Sequence, residues 1–310
     1  MTTMADPIPL DLSDAAHPAL RAFKEVIPLS GFSGATVALV RDRETPFVRK
    51  VSNRADANAS LRDQAVRQKA LAGLVEGCAS MPEVLDMGES EGFFYFDMAF
   101  IPSRDAINFL SNGTFDGVAE FAERVERLMG RMASSLPVGD APLVPRKQYL
   151  VEKMAQIAER TGARHEEALA GLLEAVSRLD VLVADERPTA VHGDLTFENI
   201  LVDRRGALWL IDTIPSPFDH YSVDWSKLFQ ECEGLWHAHR GRQLARGVTW
   251  WLRQYFHAAA TRLDPAYPAR HYILLGLTFA RILPYAKTEE DRAFVARRVT
   301  ECGRAALERL

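Results

Sequence analysis

Four polar residues in the stretch VHGDLTFENILVDRRGALWLIDT, residues 191–213, have types and spacing suited to chemistry: His192, Asp194, Asn199 and Asp212. Two short apolar runs, ILV and ALWLI, flank a DRRG turn from Asp203 to Gly206, which predicts a β-hairpin. Folding at that turn brings Asn199 and Asp212 to one open end, because each borders the outer end of its strand. An amide oxygen and a carboxylate there are hard ligands suited to Mg²⁺, which takes one or two protein oxygens and completes its octahedron with phosphate and water. Asp194, in a tight turn five residues before Asn199, is placed to accept the proton of an incoming hydroxyl. Together these residues form a phosphoryl-transfer constellation.

HGDLTFENIL followed by LWLID resembles the aminoglycoside phosphotransferase and choline kinase family, the small-molecule branch of the protein-kinase-like fold. The resemblance implies Asp194 as catalytic base or hydroxyl-orienting group, with Asn199 and Asp212 as Mg²⁺ ligands. His192, grouped with Asp194 in the catalytic loop, is expected to brace that loop by hydrogen bonds, and Leu201 to face the adenine. Asp224 in SVDWSKLF resembles a family aspartate that hydrogen-bonds the catalytic loop; an ordinary helix N-cap is its other reading. The cofactors implied are ATP and Mg²⁺. A nucleotide-binding pseudokinase with a regulatory role is the alternative of a different class.

A nucleotide-binding lobe of this type needs a loop over the phosphates, a lysine on the third strand and an acidic partner for it. SGFSGATVALV supplies Gly31 and Gly34 between strand-like runs, where backbone N–H groups can approach phosphate. In FVRKVS the alternation of apolar residues predicts a strand that points Lys50 toward the cleft and Arg49 to the other side. The helix that follows carries Gln64 and Gln68 where a glutamate is expected, with Asp63, Glu76 and Glu83 as the acids nearby. The partner of Lys50 is therefore open. FDMAFIP is the expected hinge, whose backbone near Met98 and Ile101 would meet the adenine edge.

The elements that must hold these residues fall into two regimes. Up to about residue 100 the chain shows short β-rich runs, VIPLSGFSGATVALVR, PFVRKVS and GFFYFDMAFI, around one helical stretch from Ser60 to Cys78 opened by a serine cap. From residue 106 the helical period dominates, interrupted by the hairpin. The expectation is an α+β, two-lobed fold: residues 1–100 a small nucleotide-binding lobe, residues 101–310 a larger, mostly helical lobe for catalysis and acceptor binding.

The acceptor is expected to be a small molecule bearing a hydroxyl. Position 196 is threonine, where serine/threonine kinases commonly carry lysine, and eleven residues between Asp212 and Asp224 leave no room for a peptide-docking segment. Acceptor-site candidates in SPFDHYSVDW and ECEGLWHAHRGR are Asp219, Glu231, Glu233, Trp236, His237 and His239. From His237 to Leu310 there are 13 Arg plus Lys against 6 Asp plus Glu, a balance of +7, leaving −12 for the preceding residues out of the total of −5. Arginine favours carboxylate and phosphate, and aromatic faces stack on sugar rings, so a sugar or sugar-like metabolite is favoured over aminoglycosides, choline or ethanolamine. The net charge argues against a nucleic-acid partner. The N-terminal residues lack the basic flank and apolar run of a signal peptide, no segment is long and apolar enough for a bilayer, and three scattered cysteines suggest neither disulfides nor zinc, so a cytoplasmic location is expected. The oligomeric state is left open.

Overall fold

The computed structural model describes residues 17–29, 35–42, 44–139, 145–178, 187–214 and 218–309. The chain divides into two compact units, Met1–Ala72 with Met81–Pro102, and Gly73–Ser80 with Ser103–Leu310.

In the first unit β1 (Val26–Leu29), β2 (Ala35–Val40), β3 (Phe47–Ser52), β4 (Val84–Ser90) and β5 (Phe93–Ala99) form an antiparallel sheet in the order β1-β2-β3-β5-β4. The period-2 alternation of strands gives the sheet two apolar faces. Val48, Phe94, Phe96 and Met98 pack with Leu61 and Ala65 of α1 (Asn58–Val75), while Ala38 and Val51 pack with Ala19 and Leu20 on the other face. Glu91 and Gly92 both take positive φ, 52° and 83°, as a two-residue turn between β4 and β5 of matching twist requires. Helix α1 begins two residues before the expected serine cap. Ser60 lies inside the first turn, and Asn58 ties the helix start to the sheet by accepting from the Phe94 N–H at 2.9 Å and donating to Gly92 O at 2.9 Å.

The second unit contains a three-stranded sheet, β6 (Ser103–Asp105), β7 (Ile200–Asp203) and β8 (Leu208–Leu210), in that order, and helices α2 (Ala106–Asn112), α3 (Phe115–Ser134), α4 (Arg146–Thr161), α5 (Glu166–Ser177), α6 (Ser222–Cys232), α7 (Trp236–His239), α8 (Arg246–Leu263), α9 (Tyr267–Ala280) and α10 (Glu289–Leu307). Their apolar spacing explains their burial. In α3, Val118, Phe121, Ala122, Val125, Leu128 and Met132 recur every three or four residues and form one buried stripe under a Thr114 cap. Helix α9 is buried along Ile273–Ala280 and packs against α6 and α10. Where α5 crosses α10, a Cβ on Gly303 would lie 2.7 Å from the Leu172 backbone nitrogen, so the close approach needs glycine there. Among the described residues no helix is long and apolar enough to cross a membrane.

Candidate active site

The geometry of the loop that carries Asp194 begins with a glycine. Gly193 has φ +91°, and a Cβ there would stand 2.1 Å from Ile214 O, so this turn admits no side chain. The loop is tied to residues 213–214 through His192 O, which accepts from Ile214 N–H at 2.9 Å and from Thr213 Oγ1 at 2.8 Å. Asp224, fully buried in the first turn of α6, accepts the N–H of His192 at 2.7 Å and of Gly193 at 2.9 Å, one on each carboxylate oxygen. It therefore holds the loop from within the helix; the N-cap position is Tyr221. His192 is buried, and its Nδ1 lies 3.3 Å from the Asp194 backbone nitrogen, a bracing contact within the loop.

These contacts present Asp194. Its Oδ2 accepts from Asn199 Nδ2 at 2.9 Å, and Lys227 Nζ lies 2.9 Å from its Oδ1. Burial would raise the Asp194 carboxyl, but the Lys227 ammonium, by charge and hydrogen bond, outweighs it and holds the group below the ordinary aspartate range, with His192 and Arg281 adding to the effect. About a quarter of the Asp194 side chain, 24%, remains open to solvent.

The hairpin forms as its turn chemistry dictates. Asp203 Oδ1 accepts from the N–H groups of Arg205 and Ala207 at 2.8 and 2.9 Å, and the pair Ile200 and Leu210 is extended by the bond from Ile211 N–H to Asn199 O at 3.1 Å. Asn199 and Asp212 thus flank one open end. Asn199 spends its amide NH₂ on Asp194, donating also to the main-chain O at 2.8 Å, which leaves its carbonyl oxygen as the atom offered to a cation. Asp212 sits at φ +61°, a left-handed backbone uncommon for a residue with a Cβ and often retained at functional sites. An amide oxygen beside a carboxylate is a donor set that fits Mg²⁺. Leu201 is half-buried and points opposite to the buried pair Ile200 and Val202.

In the first unit Lys50 is fully buried and lies on the α1 side of the sheet, since Val48 on the same side of β3 packs on that helix. Gln64 and Gln68 lie on the buried stripe of α1 with Leu61 and Ala65; Gln68 Nε2 donates to Pro82 O at 2.7 Å. Glu76 and Glu83 are exposed. Arg49 occupies the opposite face, in a bidentate pair with Asp97 at 2.7 and 2.8 Å and 3.9 Å from the Tyr95 ring centre. Met98 is buried in the sheet core, and Ile101 lies just beyond β5. Gly31 and Gly34 lie outside the described residues.

Of the acceptor candidates, Asp219, Glu231 and His237 are buried. Glu231 Oε2 accepts the His237 N–H at 3.0 Å to start α7. Trp236 and His239 pack on Phe294 of α10. Glu233 accepts from His271, His257 and Tyr272 at 2.9, 3.1 and 2.9 Å and pairs with Arg253 at 3.1 Å, a closed network that holds its carboxyl far below the usual range against the opposing effect of burial. The sequence reading overlooked Lys227. Its signal was present: Asp224 and Lys227, three apart, share one face of α6, so a helix that brings one to the loop brings the other too.

Three comparisons bear on this arrangement. A thermostable mutant of aminoglycoside phosphotransferase APH(4)-Ia in ternary complex with ADP and hygromycin B is 17% identical, with 93% of this chain and 97% of that one covered at a TM-score of 0.67. A Haemophilus somnus 129PT protein described as a fructosamine-3-kinase is 13% identical, covering 90% and 91% at 0.62. The GDP and kanamycin complex of APH(2")-IIIa is 14% identical, covering 92% and 94% at 0.65. These are likenesses of fold, the two-lobed protein-kinase-like one. No curated protein sequence matches the chain significantly. The family model described as the phosphotransferase enzyme family, APH, matches residues 25–212, well over half of the chain, and the protein belongs to that family.

Proposed function

We propose that the protein transfers the γ-phosphate of ATP to a hydroxyl of a small, sugar-like acceptor, with Asp194 as the catalytic base. The observation that carries this reading is the Asp194 carboxylate, ionised, partly open, and fixed by Asn199 and Lys227 on a loop that Asp224 anchors. In the step itself the acceptor oxygen bonds to the γ-phosphorus, the bond from phosphorus to the β–γ bridging oxygen breaks, and the acceptor proton passes to Asp194. Such transition states are loose and the proton moves late, so a weakly basic carboxylate that orients the hydroxyl suffices.

Mg²⁺, when bound, neutralises charge on the β- and γ-phosphates. Asn199 Oδ1 and the Asp212 carboxylate are the groups assigned to hold it. Lys50 is assigned to the α- and β-phosphates, and Met98, Ile101 and Leu201 to the adenine. Gly31 and Gly34 are assigned to the phosphate loop. The aminoglycoside-phosphotransferase structures that share the fold were solved with hygromycin B and kanamycin, which supports a small-molecule acceptor.

The test is ADP release with Mg·ATP across a panel of sugars, sugar acids, aminoglycosides, choline and ethanolamine, with Asp194→Asn run in parallel. Turnover of at least one sugar-like acceptor is expected, falling by about 10²- to 10⁴-fold in the variant. Undiminished turnover by Asp194→Asn would remove the base assignment, and turnover of aminoglycosides alone would remove the acceptor class.

A further inference from the structure

Lys227 lies fifteen residues beyond the end of the family match at residue 212. Its ammonium nevertheless sits at the centre of the site, 2.9 Å from Asp194 Oδ1, with only 13% of the side chain exposed. Its other contact, to Gln230 Oε1 at 3.4 Å, is long. A purely structural pair is a poor account of this contact. Ordering a lysine and taking it out of water costs side-chain entropy and desolvation, and pairing a proton acceptor with an ammonium weakens it as a base.

The arrangement makes sense when the whole transfer is considered. An acceptor hydroxyl hydrogen-bonded to Asp194 would lie about 2.7 Å from a carboxylate oxygen. Its reacting partner, the γ-phosphorus, would lie about 3–3.5 Å further on. An ammonium resting on the same carboxylate is then within reach of a phosphoryl oxygen, and it has N–H groups to give. In a loose transition state the charge stays on the three equatorial oxygens, where a compact cation in a partly dry site counts most.

We propose that Lys227 is a catalytic residue, fixing Asp194 with one N–H and donating another to the phosphoryl group in transit. This rests on the reading of Asp194 as the group that receives the acceptor proton. Lys227 keeps all three of its protons throughout; the new oxygen–phosphorus bond, the departing ADP and the proton on Asp194 balance the step without it.

The experiment separates charge stabilisation from simple positioning. Lys227→Met, Lys227→Arg and Asp194→Asn are compared in intrinsic Mg·ATP hydrolysis, and in calorimetric binding of Mg·ADP with and without aluminium fluoride, a mimic of the phosphoryl group in transit. Near-UV circular dichroism checks that each variant is folded. Lys227→Met is expected to lower kcat by about 10²- to 10³-fold, as loss of a transition-state donor does, with KM for ATP little changed. It should also lose the affinity that aluminium fluoride adds to Mg·ADP while binding Mg·ADP alone as before. Lys227→Arg should recover part of both. Asp194→Asn, which keeps the ammonium, should retain the aluminium-fluoride gain. The proposal is overturned if Lys227→Met retains wild-type kcat, or weakens Mg·ADP equally with and without aluminium fluoride. Wild-type turnover by Asp194→Asn would instead overturn the base assignment, so the two failures are distinguishable.

Discussion

Asp224 spends a fully buried charge on two backbone N–H groups, those of His192 and Gly193. Hydrogen bonds to an ionised acceptor contribute about 1.5–3 kcal/mol each, and a buried group left facing a like partner costs a similar amount. Asp224→Asn keeps the shape but turns one oxygen into an NH₂ that faces an N–H donor. The expected result is a loss of roughly 2–3 kcal/mol in denaturant unfolding together with a fall in kcat, while KM for ATP stays near its wild-type value because the Asp224 carboxylate acts on the backbone of the loop. A variant of wild-type stability would show that the loop does not depend on this carboxylate. At this scale the sequence was legible wherever spacing alone determines position. Asp194, Asn199 and Asp212 follow from one hairpin and one turn. Lys227 was missed because its place depends on how α6 meets the loop, a tertiary fact, and the burial of Glu231 and His237 was not legible because an amphipathic pattern does not distinguish a side chain that lines a space from one that closes it.

The entry into α6 illustrates what an element adds. His220 Nδ1 lies 2.7 Å from Ser222 Oγ and accepts from Ser222 N–H at 3.2 Å, and burial pushes the imidazole down to about 4. Protonation would cost it the acceptor role that starts the helix. Because the folded pKa lies below the unfolded value of about 6.5, the unfolded chain binds the proton first. This contribution to stability is intact above pH 6.5 and is lost as pH falls through the window to about 4, by up to about 3 kcal/mol. Unfolding free energies of wild type and His220→Asn, measured between pH 7 and 4.5, should converge as the pH falls; parallel curves would refute the assignment. Strands β2, β3 and β5 were readable from their alternation, as was the long apolar stripe of α3. Strand β4 was not, since none of its residues is buried and a bulge between Val84 and Asp86 breaks its period, and β6 is only three residues long. The start of α1 was misplaced because its first turn is secured by Asn58 reaching to the sheet rather than by a local serine cap.

Across the whole chain, the charge asymmetry of the sequence is partly undone by folding. Arg242 pairs with Asp105 at 2.8 Å, Arg253 with Glu233 at 3.1 Å and Arg262 with Glu126 at 2.7 Å, each drawing an acid from the earlier part of the chain. A basic final quarter is therefore a weaker guide to the acceptor than composition suggested. Arg281 is different: among the described residues no acid lies within ion-pair distance of it. It lines a small cavity with Tyr149, Phe218, Ser226 and Thr278, and its charge helps hold the Asp194 carboxyl low. Burial, followed by the like charges of Arg281 and Arg160, lowers the pKa of Lys153 nearby. An excess of cations near Asp194, the proposed base, suits an acceptor carrying a carboxylate or phosphate and repels a polycation. Arg281→Ala should accordingly raise KM for an acidic sugar such as a uronate or sugar phosphate by about tenfold, or roughly 1.4 kcal/mol, with kcat nearly unchanged, and should leave KM for neutral sugars as it was. Raising the salt concentration should weaken the acidic acceptor in wild type more than in the variant, since the screened interaction is then already absent. Faster turnover of kanamycin than of any acidic sugar, or an unchanged KM for acidic sugars in Arg281→Ala, would show that this cation does not select the acceptor.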